Sequence, residues 1–340
     1  MNCTRKSLAA LFLAAGAAFA QNPAPAGQDD AVALIRVNVN FVVVPVAVKD
    51  SVGRLVADLA REEFRILEDD VEQRIEVFSS EPFPLSVVVL VDNDLEARVA
   101  DQVEQTLPAL VGGFSANDEV LLARFDQTFK EGKGFTHDPD QLLTQLKRTR
   151  VGGSPPPAPA GGPLSGAPRI NGRPAPGADQ LPNSGIIIKG QVSKNVDDAV
   201  FAAATLLKDR GRDRRKIIIL ISDGANSRHN KVSFGDSVRS LLSAGISVYG
   251  IGVGNAYFNR RLTTLSKYAR ATAGDVFYGL KRGEIEQLYA GAFEQARNQY
   301  TLAYTPRGTD RSLEYHSIEV RVKRPGLYVQ AREGYYSGGQ

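Results

Sequence analysis

One alternation constrains this chain more than any other feature. Between residues 85 and 298, short runs of β-branched residues take turns with amphipathic stretches of helical length. The expected strands cover 85–91, 119–125, 216–221, 246–251 and 275–278, with a further short one near 128–130. Helical patterning fills 95–111, 140–149, 195–209, 232–244, 258–272 and 283–298. The run KIIILI at 216–221 is too short and too β-branched to be a helix. Such alternation predicts an α/β fold: a doubly wound, mostly parallel sheet with helices on both faces.

The flanks read differently. RVNVNFVVVPVAV (36–48) alternates and then turns fully apolar, as a strand does on entering a core. EEFRILEDDVEQRIEVF (62–78) reads as two short strands about the turn Asp69-Asp70. Further strands are expected at 300–306, 314–326 and 327–333. The economical arrangement pairs the N- and C-terminal strands into one small β-sandwich, with the α/β domain inserted between them. The expected organisation is a signal peptide at 1–20, a flexible leader at 21–32, a β segment at 33–81, the α/β domain at 82–298 and a C-terminal β segment at 299–337. Within the domain, 151–185 holds nine of the eighteen prolines and is expected to be a disordered insert, because it lacks the apolar surface to offset its ordering entropy.

The first twenty residues carry a basic start at Arg5 and Lys6, an apolar run at 7–17 and the cleavage pattern Ala18-Phe19-Ala20. The run is too short to span a bilayer, and no later run reaches that length. Export to a periplasmic or extracellular location is expected, with no integral membrane segment after cleavage. Cleavage removes Cys3, the only cysteine, and leaves 39 basic residues against 38 acidic ones. That balance gives no reason to expect a nucleic-acid partner.

Three strand ends carry the chemistry. VVVLVDNDLEA (87–97) drives a buried strand straight into Asp92, Asp94 and Glu96 at alternate positions. IIILISDGANS (217–227) ends in Ser222-Asp223-Gly224, and GISVYGIGVGN (245–255) ends in glycines. Together these resemble the von Willebrand factor type A domain. The flanks at 45–81, 300–308 and 317–337 look like the secreted "VWFA-related" family of acidobacteria. The resemblance implies an ion site, the metal-ion-dependent adhesion site, at the carboxyl ends of the strands, where open α/β sheets bind ligands. In the family that site reads Asp-x-Ser-x-Ser, with a Thr on a later loop and a final Asp. Its hydroxyls leave the ion enough positive charge to capture a partner's carboxylate.

This chain departs from that pattern. Asp92 and Asp223 match the two aspartates, while Asp94 and Glu96 stand at the serine positions. Counting back from the helix at 195–209 puts Lys194 at the threonine position, or Ser193 with a slip of one. Two readings follow. Asp92, Asp94, Glu96 and Asp223 surround a cation, with Ca²⁺ suited better than Mg²⁺. Alternatively the Lys194 ammonium replaces the ion among Asp92, Asp94 and Asp223, forming a salt-bridge cluster. The metal-free cluster, with no cofactor, is the expectation; Ca²⁺ or Mg²⁺ is the alternative.

Enzyme motifs are absent. His137, His229 and His316 form no H-E-x-x-H run and there is no cysteine ligand, so no zinc site is expected. No G-x-S-x-G elbow occurs. Gly250, Gly252 and Gly254 lack the dinucleotide spacing, and GRDRRK (211–216) reads as a solvated basic loop. His229 is expected on a surface loop. The functional expectation is therefore a non-enzymatic binding module whose partner is another protein. It engages that partner through Asp92, Asp94, Lys194, Asp223 and loops 224–231 and 254–260. The alternatives are a cation-dependent ligand-binding domain, a metal-dependent hydrolase, or an envelope component whose β segments make the contacts.

Overall fold

The computed structural model of the chain describes residues 41–152, 169–170, 173–174, 194–211, 213–260, 263–306 and 314–337. The expected signal peptide, the leader, Ser193 and most of the proline-rich insert lie outside the described residues.

In chain order the first strands are β1 (Val42–Lys49), β2 (Phe64–Glu68), β3 (Val71–Gln73) and β4 (Val77–Ser79). The alternating part follows with β5 (Leu85–Asp92), α1 (Ala97–Thr106), β6 (Glu119–Phe125), β7 (Phe129–Glu131) and α2 (Pro139–Arg148). Within the insert, β8 (Arg169–Ile170) pairs antiparallel with β9 (Arg173–Pro174). Then come α3 (Val196–Leu207), β10 (Arg215–Ser222), α4 (Phe234–Ala244), β11 (Ile246–Gly252), α5 (Thr264–Ala271), β12 (Val276–Tyr278) and α6 (Arg282–Arg297). The chain closes with β13 (Tyr300–Tyr304), β14 (Tyr315–Val322), β15 (Tyr328–Ala331) and β16 (Gly334–Tyr336).

The central sheet has the order β12-β11-β10-β5-β6-β7, parallel except for the antiparallel edge strand β7. The period of two along each strand explains its double burial. Val87, Val89 and Val91 of β5, with Ile217, Ile219 and Ile221 of β10, enter one apolar cluster. There they meet Val103 of α1, Leu146 of α2 and Phe293 of α6. Val88, Leu90, Ile218 and Leu220 enter the other cluster, against Val200 of α3, Leu241 of α4 and Tyr268 of α5. Each such side chain contributes about 1.5–3 kcal/mol when fully buried. Strands loaded on both faces cannot sit at a solvated surface, so β5 and β10 take the middle of the sheet.

The expected pairing of N- and C-terminal strands is also found. One antiparallel sheet has the order β15-β1-β13-β4, and the other β16-β14-β2-β3. Their shared core holds Val44, Val46, Ile66, Tyr300, Leu302, Ile318 and Val320. Each sheet thus joins strands from both ends of the chain.

The basic run at 211–216 departs from the solvated loop expected of it. Arg214 donates to the Leu85 carbonyl at 2.7 Å, the Ser86 hydroxyl at 2.9 Å and the Asn117 carbonyl at 2.6 Å. The buried Glu119 carboxylate receives the neighbouring Arg210. Arg215 donates to Gln299 Oε1 at 2.8 Å and to Thr301 Oγ1 at 3.0 Å, and burial lowers its pKa to about 10. A buried carboxylate and the carbonyls at the strand starts need donors, and these guanidiniums supply them.

Candidate functional site

The strand order reverses between β5 and β10. β5 is flanked by β6 on one side and by β10 on the other, so the two crossovers leave in opposite directions. A crevice opens at the carboxyl ends of the two strands at such a point. Asp92 is the last residue of β5, and Asp223 follows the last residue of β10.

Asp92 is fully buried, and each of its oxygens is bonded. Oδ1 accepts from the Asp94 backbone N–H at 2.9 Å. Oδ2 accepts from the Ser222 hydroxyl at 2.7 Å and from Lys194 Nζ at 2.8 Å. The Lys194 ammonium, on a residue only 3% exposed, has three donors and three acceptors. Besides Asp92 it reaches the Asp94 backbone carbonyl at 2.8 Å and Asp223 Oδ1 at 3.0 Å. Burial works against the charge on Lys194, but the Asp92 and Asp223 carboxylates more than reverse this and hold its pKa above that of an ordinary lysine. Burial holds the pKa of the Asp92 carboxyl above its ordinary value, with Lys194 and Ser222 opposing the rise. All of the Asp92 bonds are made to the charged form, so the ion pair is the state for which this site is built.

The structure therefore brings Asp92, Lys194, Asp223 and the backbone of Asp94 to one point. Glu96 is apart from them: it is exposed and stands at the N-cap of α1, where the helix dipole favours an acid. His229 is exposed, as expected.

What places Lys194 is a set of contacts remote in sequence. Its carbonyl accepts from Ser227 N, and the next N–H, of Asn195, donates to the Asp126 carbonyl at 2.9 Å. Helix α3 is not capped by the Asn195 side chain, which donates instead to the Gln127 carbonyl. Its first N–H groups are satisfied from the loop after β10. Asn226 Oδ1 accepts from Val196 N at 3.0 Å, and Asn230 Oδ1 accepts from the N–H groups of Asp197 and Asp198. Asp197 returns the contact by accepting from Asn226 Nδ2 and the buried Tyr268 hydroxyl. Gly224 has φ +77, and a Cβ there would meet the Thr263 side chain at 2.7 Å, so the loop can start only from glycine.

Three residues of this region escape the sequence reading. Ser222 is the hydroxyl on Asp92. Asn93 Nδ2 donates to Asp126 Oδ2 at 3.4 Å, and Asp126 also receives Lys130 and Thr128. Burial opposes the Asp126 charge, but Lys130 and the Thr128 N–H and hydroxyl bring its pKa down to about 2. The signal was available: β6, like β5 and β10, runs directly into an aspartate.

Among known proteins, residues 184–290 match the family model of the von Willebrand factor type A domain. The α/β part of the chain has the von Willebrand factor type A-like fold, with antiparallel sheets flanking its mostly parallel central sheet. No curated protein matches the chain. Among solved structures, a von Willebrand factor type A protein from Catenulispora acidiphila is 7% identical, with a TM-score of 0.45 over 88% of this chain and 73% of that one. The mussel byssus proximal thread matrix protein 1, with a zinc-occupied MIDAS motif, is 14% identical, with a TM-score of 0.41 over 64% of this chain. The chain spans only 49% of that mussel protein. The protein BatB from Bacteroides thetaiotaomicron is 12% identical, with a TM-score of 0.40 over 62% of this chain and 98% of that one.

Proposed function

We propose that this chain is an exported, non-enzymatic binding module that engages another protein through the strand-end face, without a metal ion. The observation that carries the reading is the Lys194 ammonium, within 3.0 Å of both Asp92 and Asp223 and bonded by all three of its donors. The residues at this point do not fit a divalent ion. A dication about 3 Å from the ammonium would be repelled by on the order of 10 kcal/mol at an effective dielectric constant of about 20. The lysine does the ion's electrostatic work, neutralising the aspartates and tying three loops together. The likeness of the flanks to secreted acidobacterial proteins, and the basic-apolar-Ala-x-Ala start, support export.

Contact falls to the loops on the same rim. Loop 254–260 carries Phe258, 73% exposed, and Arg260 with its guanidinium over the Tyr257 ring at 4.2 Å. Exposed aromatic and arginine side chains are the usual anchors of protein interfaces. Among the described residues no helix is long and apolar enough to cross a membrane.

Thermal unfolding tests the metal-free reading. The midpoint in EDTA is expected to equal that in millimolar Mg²⁺ or Ca²⁺, since an ion that binds only the folded state raises it. A rise that Asp92→Asn removes would overturn the reading. Crosslinking in the native envelope tests the face: adducts are expected at 224–231 and 254–260, and adducts confined to 42–79 and 300–336 would move the interface to the β segments.

A further inference from the structure

A second cluster lies in the β-sandwich, away from the strand-end face. Among the described residues, one group of His, Cys, Asp or Glu side chains offers three ligand atoms all within 4.8 Å of one another: Glu68, Asp69 and His316. Glu68 ends β2, Asp69 opens the turn to β3, and His316 lies on β14, which pairs with β2. His316 Nδ1 is 2.8 Å from Asp69 Oδ2 and 3.7 Å from Glu68 Oε1.

Each of the three groups is held from behind. Asp69 Oδ1 accepts from the Ser317 N–H at 2.8 Å and the Ser317 hydroxyl at 3.0 Å, which leaves Oδ2 for the histidine. Glu68 Oε1 accepts from the Tyr335 hydroxyl at 3.0 Å. The His316 ring stacks on Tyr335 with centroids 5.2 Å apart. Outer contacts of this kind orient the ligands of metal sites.

An independent observation points to a missing partner. Glu68 is only 8% exposed, yet its Oε2 is buried with no hydrogen-bond partner. The hydroxyl of the fully buried Tyr304, which also lacks a hydrogen bond of ordinary geometry, is the neighbour of the Glu68 carboxylate and acts on it as a loose donor. A buried carboxylate oxygen with only a loose donor is costly to hold charged, and a cation at this carboxylate would offset that cost.

We propose that Glu68, Asp69 and His316 form a binding site for a first-row divalent cation of the zinc class. Donors about 2.0–2.2 Å from a tetrahedral centre stand roughly 3.4 Å apart. The separations of 3.7 and 2.8 Å bracket that value. Closing the first by a few tenths of an ångström and opening the second brings Nδ1 and both carboxylates onto one ion. His316 then carries its proton on Nε2 and offers the Nδ1 lone pair. One imidazole and two carboxylates suit Zn²⁺, Co²⁺ or Ni²⁺; Ca²⁺ and Mg²⁺ take oxygen donors and more of them. Because Asp69 and His316 are 247 residues apart, the ion would clasp the N-terminal strands to the C-terminal ones.

The test uses the full chain, without an affinity tag and stripped with a chelator. Titration calorimetry with Zn²⁺ is expected to show one ion per chain, and the thermal midpoint is expected to rise with Zn²⁺. Loading with Co²⁺ is expected to give a visible absorption band. Asp69→Asn keeps the turn, since asparagine tolerates the left-handed backbone at that position (φ 47). It should weaken binding at least tenfold and remove the midpoint rise, as should His316→Gln. Asp92→Asn at the strand-end face should leave Zn²⁺ binding unchanged. No binding by the unaltered chain would overturn the proposal, as would undiminished binding by both folded variants.

Discussion

At the scale of single residues, Lys194 is the centre of gravity of the strand-end face. Removing its charge would leave two carboxylates facing each other at a buried site, and breaking such a pair costs about 3–5 kcal/mol. Lys194→Met is therefore expected to lower the unfolding free energy by about that amount in urea titration. Adding Asp92→Asn should restore part of the loss. The folded pKa of Lys194 lies above its ordinary value. Its contribution is thus complete below the unfolded value of about 10.4 and is lost as pH rises through the folded one. The stability gap between the unaltered chain and Lys194→Met should accordingly narrow only in strong alkali. Asp126 behaves in the opposite sense. Its pKa is lowered to about 2, so its contribution is present above the unfolded value near 3.9 and disappears as pH falls toward 2. Asp126→Asn should flatten the loss of stability between about pH 4 and pH 2, as followed by circular dichroism.

At the scale of elements, the central strands and the loop after β10 carry different loads. Ile219 is fully exchanged for core, with 0% exposure, and packs under α6. Ile219→Ala is expected to cost about 2–5 kcal/mol in urea unfolding, because the neighbouring strands cannot collapse into the space. Asn230 acts on one helix end: its Oδ1 takes the N–H groups of Asp197 and Asp198. Asn230→Ala should cost about 0.5–2 kcal/mol, the range for a lost helix cap. It should also raise hydrogen exchange at the start of α3, where Lys194 is anchored. Element by element, the long periodic runs are legible, and so are two short strands, β7 near 128–130 and β12 at 275–278; β4 and β16 are not. The helix expected at 258–272 forms only over its second half, as α5 at Thr264–Ala271, and a 3₁₀ turn at Gly254–Tyr257 precedes the expected range. β4 (Val77–Ser79) straddles the end of the expected strand pair at 62–78, and β16 lies beyond the last expected strand at 327–333. Three-residue strands have too few positions for a period; they exist because a partner such as β14 or β13 is already there.

At the scale of the whole molecule, both ends of the chain are needed to build the sandwich. Val42 of β1 pairs with Tyr304 of β13, and Phe64 of β2 with Val322 of β14. The sandwich is also tied to the α/β part: Lys49 pairs with Asp275, and Thr272 bridges to Arg332. A chain cut after residue 298 would leave β1 and β2 with open, apolar edges, the features that drive edge-to-edge aggregation. It is expected to elute as aggregate in size-exclusion chromatography, whereas the uncut chain elutes as a defined species.

The sequence by itself determined the doubly wound sheet, the sandwich of terminal strands and the aspartates at the strand ends. All three follow from periodicity and from where apolar runs stop, which are local properties. Lys194 entered the strand-end set through the resemblance to the type A domain, which implies a site residue just before the helix at 195–209. Only the tertiary structure decided what those charges do. It gave Lys194 three acceptors from two strand ends, left Glu96 at a helix start, and turned Arg210 and Arg214 into clamps on Glu119 and the start of β5. It alone brought Asp69 to His316 across 247 residues. A carboxylate's role is set by what lies within about 3 Å of it, and over such distances neighbours in space are not neighbours in sequence.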